Sequence, residues 1–136
     1  SCQNLLSSHD VKRFLNRCDD WNSVKGAIFM QATFPGLAGI YYGDEIGLNG
    51  GEDPNNREPF PWHDENSWNT EIYDYTAELM KLKSKNSILK YGNFDLVHHD
   101  YDLVIFKRKL NVFFQCFHSS IVNRYFASLA TSASGR

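Results

Sequence analysis

Cysteine is scarce in this chain of 136 residues, and what there is of it is scattered. Cys2, Cys18 and Cys116 are odd in number, widely spaced and free of any C-x-x-C pair. That excludes a disulfide framework and gives a metal site no support, so thiols in a reducing, cytoplasmic setting are the expectation. An excess of charge of either sign is also lacking: 14 basic residues against 16 acidic ones leave a formal charge of −2. Nothing there steers the chain toward nucleic acid or an anionic membrane. No apolar run approaches the roughly 18–20 residues needed to span a bilayer. Initiator Met, charged leader, internal repeat and charge block are all missing from the sequence. What the sequence does have is apolar material, 42% of residues with 15% aromatic, enough to bury a core.

The chain is organised around the stretch Ala38 to Trp62. Gly39-Ile40-Tyr41-Tyr42 is a short apolar run bounded by glycine, which suits a strand buried on both faces. At Gly43 it gives way to Asp44-Glu45 and a long loop rich in Gly and Pro. Upstream, Asn4-Leu5-Leu6 ends in Ser7-Ser8-His9-Asp10. Two strand ends that each deliver carboxylates, with helix between them, are how α/β proteins build sites. Asp10 fits the N-cap of a short helix carrying Val11, Phe14, Leu15 and Cys18, which would end at Asp19-Asp20. A second helix is predicted over about 22–33, stopped by Pro35-Gly36. The loop from Gly43 to about Ser67 is long, yet Phe60, Trp62 and Trp68 argue that it is ordered.

A helix follows over about 69–85, with Ile72, Tyr75, Leu79 and Leu82 at helical period. Lys81, Lys83 and Lys85 gather in its last turns, where the macrodipole favours positive charge. After Gly92 the period becomes that of strands: 94–98, 103–109 and 112–117. Asp100-Tyr101-Asp102 and Leu110-Asn111 supply the turns of an antiparallel meander. Residues 121–136 match nothing that can be placed.

The co-linear pair of motifs, NLLSSHD (Asn4 to Asp10) and GLAGIYYGDEIGLNGGEDPNNREPFPW (Gly36 to Trp62), resembles the last third of an α-amylase-type enzyme of glycoside hydrolase family 13. The nearest subgroup is that of neopullulanase, cyclomaltodextrinase and maltogenic amylase. The resemblance runs from about residue 2 to 119. It implies an α/β fold in which residues 1–88 end a (β/α)8 barrel, as its last two β/α units. Residues 89–119 would then begin an antiparallel β-sandwich domain, with 120–136 unassigned. Local departures are Ala38, where the family commonly has Pro, and a short turn at Leu110-Asn111 that lacks Asn-Gly.

Bare His-Asp is a weak signal, and taken alone a helix cap is the better account of Asp10. Within the resemblance, Asp10 takes the place of the carboxylate that stabilises an oxocarbenium-like transition state, and His9 that of the histidine on the sugar hydroxyls. Asp53 and Arg57 form a directional hydrogen-bonding clamp, suited either to vicinal hydroxyls or to shaping the loop. The subgroup uses a matching pair on the glucose near the cut. Trp62 is a candidate sugar platform, while Tyr41 and Tyr42 read as core. Asp44 and Glu45 leave a strand in opposite directions and cannot share one bond, so they read as loop support. His98-His99-Asp100 reads as a solvated turn rather than a metal cluster.

A retaining glycosidase also needs a nucleophile and a proton donor about 5–5.5 Å apart. In the family these sit on earlier strands, and no such motif occurs in this chain. The expectation is therefore a fragment of an α-glucan hydrolase, inactive alone. Its partners would be α-glucan oligosaccharides and the N-terminal part of the barrel. No cofactor is expected, with a calcium requirement of the parent enzyme left open. The rival readings are a non-catalytic amylase-like segment binding carbohydrate or protein, and a remnant without function. Leu5, Leu6, Ile40 and Tyr41 should expose apolar surface, giving self-association or poor folding.

Overall fold

The computed structural model describes residues 2–18, 20–110 and 113–120. Strand β1 (Gln3–Leu5), helix α1 (Trp21–Thr33) and strand β2 (Leu37–Gly39) make one βαβ unit. The two strands are parallel and in register, Gln3 against Leu37 and Leu5 against Gly39. Gln31 on α1 ties the unit together. Its Nε2 donates to Asn4 O at 3.0 Å and to Gly39 O at 2.6 Å, one carbonyl from each strand. The entry to β2 requires glycine: Gly36 has φ 102°, and a Cβ there would lie 2.4 Å from Cys2 O.

Helix α1 starts where Asp20 caps it, accepting from Asn22 N at 2.7 Å and Ser23 N at 3.0 Å. The helix expected directly after Asp10 does not form. Its amides are drawn elsewhere, with Arg13 N donating to Gly50 O at 3.0 Å and Phe14 N to Ser7 Oγ at 2.8 Å. What remains is a single 3-10 turn, Phe14–Arg17. The second strand is likewise earlier and shorter than the run Gly39–Tyr42 suggested. It ends with its partner, because Leu6 O is occupied by Arg17 Nη2 and the ladder cannot lengthen. Tyr42 is therefore partly exposed rather than core, and Ile40 beside it is exposed as expected.

Helix α2 (Thr70–Lys85) is capped by Asn69, and helix α3 (Ser87–Tyr91) by Asn86. The buried face of α2 is Ile72, Thr76, Leu79 and Lys83, while Leu82 points outward. Lys83 is not a solvated end-of-helix charge. Its Nζ donates to Ala32 O at 3.0 Å and Phe34 O at 2.8 Å, closing the C-terminus of α1. Burial, with the Arg108 charge nearby, pulls its ammonium below the usual lysine range. Arg108 serves the same end from the sheet, donating from Nη1 to Thr33 O and from Nη2 to Gly92 O, each at 2.7 Å.

That sheet is the expected meander, β3 (Asn93–His99), β4 (Leu103–Leu110) and β5 (Phe113–Ser120), antiparallel in the order β3-β4-β5. Leu110, expected in the second turn, is the last residue of β4, whereas Asn111 and the expected strand start at Val112 lie outside the described residues. Asp100 makes the first turn, accepting from Asp102 N and Leu103 N, and its Oδ2 lies 2.9 Å from His98 Nε2. Among the described residues no group of three His, Cys, Asp or Glu side chains is placed to hold a metal ion.

The core runs from Val24, Ile28 and Ala32 of α1 through Ile72 and Leu79 of α2 to Phe106 of β4. Phe34, Phe94 and Phe106 meet with centroids 5.1–5.3 Å apart, so the βαβ unit and the meander share one aromatic contact. The two-stranded sheet is not covered. Leu5 and Leu37 are more than half exposed. Apolar hollows of about 660 Å³ (Leu5, Leu6, Phe14, Met30) and 980 Å³ (Leu37, Met80, Tyr91, Phe94) lie beside it. No described helix is long and apolar enough to cross a membrane.

Candidate active site

Both strands end on the same side, and each hands the chain to a loop. From β1 the chain passes through Ser7 and Ser8 to His9-Asp10. Ser8 Oγ accepts from Asp10 N at 3.2 Å and bends the backbone there. His9 Nε2 lies 3.2 Å from Asp10 Oδ1, and both side chains stand in solvent. From β2 the chain passes through Tyr41-Tyr42 and the 3-10 turn Asp44–Ile46 into the long loop, which is ordered and contains a second 3-10 turn at Asn55–Arg57. There Arg57 Nε lies 2.9 Å from Asp53 Oδ1, again with both side chains open to solvent.

The four residues expected to form the site thus stand as two exposed pairs. The join between them is made by Asn56, which is fully buried. Its Nδ2 donates to His9 O at 2.8 Å and to Val11 O at 3.0 Å. One amide side chain therefore fastens the His9-Asp10 turn to the turn that carries Arg57. Gly50 makes this approach feasible: a Cβ there would lie 2.8 Å from Asn55 O and 2.9 Å from Asn56 Cα.

Under the two loops lies Arg13, whose side chain is completely buried. Its Nη1 donates to Tyr42 O at 2.5 Å and lies 3.6 Å from Asp44 Oδ1. The guanidinium carbon is 4.7 Å from the Tyr41 ring centroid and 4.6 Å from that of Tyr42. Asp44 is itself largely buried. Desolvation pushes its carboxyl up to about 6, against the opposing pull of Ser7 and Arg13. Glu45 faces elsewhere, its Oε2 accepting from Gly43 N at 2.7 Å. The two adjacent carboxylates do separate jobs in the loop base and do not form a pair.

Trp62 is 70% exposed and leans on Phe60 with centroids 4.3 Å apart. Phe60 in turn meets Trp68, whose Nε1 donates to Pro61 O at 3.2 Å. A flat, solvent-facing indole on a rigid support can stack on a sugar ring. Neither Arg13 nor Asn56 stands out in the sequence, since each reads as ordinary loop polarity. The available signal was the Asn beside Arg57 in a loop too rich in aromatics to be floppy.

Comparison with known proteins gives the family. The alpha-amylase catalytic domain family matches residues 1–92. The amylopullulanase of Thermoanaerobacter thermohydrosulfuricus is 34% identical over 126 residues, covering 81% of this chain but 8% of that protein. Neopullulanase 2 of Thermoactinomyces vulgaris is 40% identical over 99 residues, covering 71% of this chain and 17% of the relative. Among solved structures, the maltogenic amylase from S. marinus superposes with a TM-score of 0.81 at 32% identity, over 86% of this chain and 17% of that one. The chain spans less than a fifth of the length of these relatives. With the family matching two-thirds of its residues, the chain belongs to the alpha-amylase family of glycoside hydrolases.

Proposed function

We propose that this chain supplies the last two β/α units of a (β/α)8 barrel and the first strands of the following sandwich domain, in a retaining α-glucan hydrolase. The substrates would be the α-glucosidic bonds of maltooligosaccharides, cyclodextrins or pullulan. Relatives named amylopullulanase, cyclomaltodextrinase and neopullulanase support that range. The observation that carries the proposal is the Asn56 lock, which sets an exposed His-Asp pair beside an exposed Asp-Arg pair at two paired strand tips.

Chemically, the pairs suit a sugar ring on its way to an oxocarbenium-like state. Asp10 presents a carboxylate that stabilises the positive charge developing on the ring and accepts from its hydroxyls. His9, within contact of Asp10, holds both the carboxylate and a hydroxyl in place. Asp53 accepts and Arg57 donates, so together they grip a vicinal diol of a neighbouring glucose. Trp62 offers an apolar face to a further ring. None of these groups attacks or protonates the scissile bond. The nucleophile and the acid of the reaction would be carried by the fourth and fifth strands of the barrel.

The 136 residues alone should therefore release no reducing sugar from pullulan or maltotriose, whereas calorimetry should detect maltotriose binding that Asp10→Ala abolishes. Equal heat from the Asp10→Ala chain would sink the site assignment. A second reading, favoured by the exposed Trp62 on its Phe60–Trp68 support, is a segment that binds carbohydrate or protein without catalysis. Under that reading Trp62→Ala, and not Asp10→Ala, would abolish the heat.

A further inference from the structure

We propose that Arg13 is the positioning residue of this site, a buried brace that sets the His9-Asp10 turn and the Asp53–Arg57 turn at their working distance. The proposal rests on the sugar-binding reading of those two turns. It differs from it in assigning a role to a residue that can touch no sugar, since Arg13 is wholly enclosed.

Arg13 touches the chain that links the two pairs at several points. Arg13 follows Asp10 by three residues, and its backbone N–H is spent on Gly50 O in the second loop at 3.0 Å. Its Nη1 binds Tyr42 O at 2.5 Å, while the Tyr42 hydroxyl donates to Glu58 O, next to Arg57, at 2.9 Å. Gly50 packs on the Arg13 stem, a Cβ there lying 2.9 Å from Cδ, and Gly50 N donates to Asn16 Oδ1 at 2.7 Å. One side chain thus reaches the root of the first turn and, through Gly50 and Tyr42, both ends of the second.

A buried charge with so few acceptors is an unusual choice for a purely structural strut. Nε and Nη2 find no oxygen or nitrogen partner among the described residues, and the guanidinium lies over the Tyr41 and Tyr42 rings instead. Apolar packing of similar volume would often serve stability as well as a buried ion pair does. What only a planar, delocalised cation can do is lie against both rings while donating sideways to Tyr42 O. Lysine keeps the charge and loses that geometry.

The test compares two arginines that are equally buried. Arg108 also holds carbonyls, those of Thr33 and Gly92, but it contacts neither turn. Arg13→Lys and Arg108→Lys would each be made in the full 136-residue chain. Nuclear magnetic resonance would follow the Asn56 side-chain amide and the His9 ring, and calorimetry the binding of maltotriose. The expectation is that Arg13→Lys moves both sets of signals and weakens maltotriose about tenfold, the loss of one charge-assisted hydrogen bond. Arg108→Lys should lower the unfolding midpoint and leave signals and affinity alone. An Arg13→Lys chain whose His9 and Asn56 signals move no more than those of Arg108→Lys would overturn the proposal. If the unsubstituted chain takes up no maltotriose, the sugar reading falls, while the resonances still decide on the brace. Should Arg13→Lys fail to fold, Tyr42→Phe keeps the ring against the guanidinium and frees Glu58 O. The Arg57 and Glu58 amides should then shift, and unmoved amides would count against the brace.

Discussion

Asn56→Ala is the most direct probe of how the two loops are held together. The side chain is fully buried and donates two hydrogen bonds, to His9 O and Val11 O. Each is worth about 1 kcal/mol net, and an acceptor left dry would cost about 1–3 kcal/mol more. His9 and Val11 are themselves exposed, so water can reach their carbonyls once the amide is gone. The loss should therefore stay near the lower bound, about 2 kcal/mol in all. With a slope of about 1–3 kcal/mol per molar urea for a small protein, the midpoint should fall by roughly 1 M. Asn56→Asp should be worse than Ala, because it sets a buried carboxylate against two carbonyl oxygens, a clash of the kind worth about 3–5 kcal/mol. Urea unfolding followed by tryptophan fluorescence measures both. The His9 and Val11 amides should also exchange with solvent faster in either variant. If Ala left the midpoint unchanged, or Asp proved as stable as Ala, the lock would not be what joins the loops.

Asp44 sets a pH dependence. Its carboxyl is raised from 3.8 to about 6, so its contribution to stability is complete below pH 3.8 and is lost as pH rises through about 6. The shift corresponds to at most about 3 kcal/mol, and an Asp44→Asn chain should lack that slope when unfolding midpoints are compared from pH 4 to 7. Lys83→Met should destabilise by about 2–3 kcal/mol, since Ala32 O and Phe34 O at the end of α1 lose a buried donor. An unchanged melting midpoint would show that Arg108 suffices there. Trp62→Ala, in contrast, should shift stability by no more than about 0.5 kcal/mol, because the indole is mostly in solvent. It should still remove the change in fluorescence on adding maltotriose. Finally, Leu5→Lys with Leu37→Lys should reduce self-association in sedimentation velocity, because both are exposed on the uncovered sheet.

Which parts of this molecule could be read from sequence follows from which contacts are local. The loop pairs were legible because Asp53 and Arg57 lie four residues apart and His9 and Asp10 are adjacent, so their geometry hardly depends on the rest of the fold. The meander was legible for the same reason, with strand period on both sides of the Asp100 turn. The helix after Asp10 failed because its amides found other partners, Ser7 Oγ just upstream and Gly50 O in the second loop, and propensity cannot see a competing acceptor outside the helix.

Lys83 is the instructive intermediate case. Its spacing from Ile72, Thr76 and Leu79 puts it on the inward stripe of α2, and Leu82 falls off that stripe. Periodicity alone could have marked Lys83 as a buried cation in need of acceptors, yet its place among three lysines at a helix end suggested solvent. Arg13 left no such trace, since its partners, Tyr42 O and the Tyr41 and Tyr42 rings, sit 28 and 29 residues away. The division has a physical consequence for the site. The groups that would meet sugar are specified by short-range sequence and stand exposed, whereas their separation is specified by Asn56 and Arg13, buried beneath them. A change in the exposed pairs should therefore alter what is bound at constant stability. A change in the buried two should alter stability and binding together, and the ratio of those two losses is the quantity that separates a contact residue from a brace.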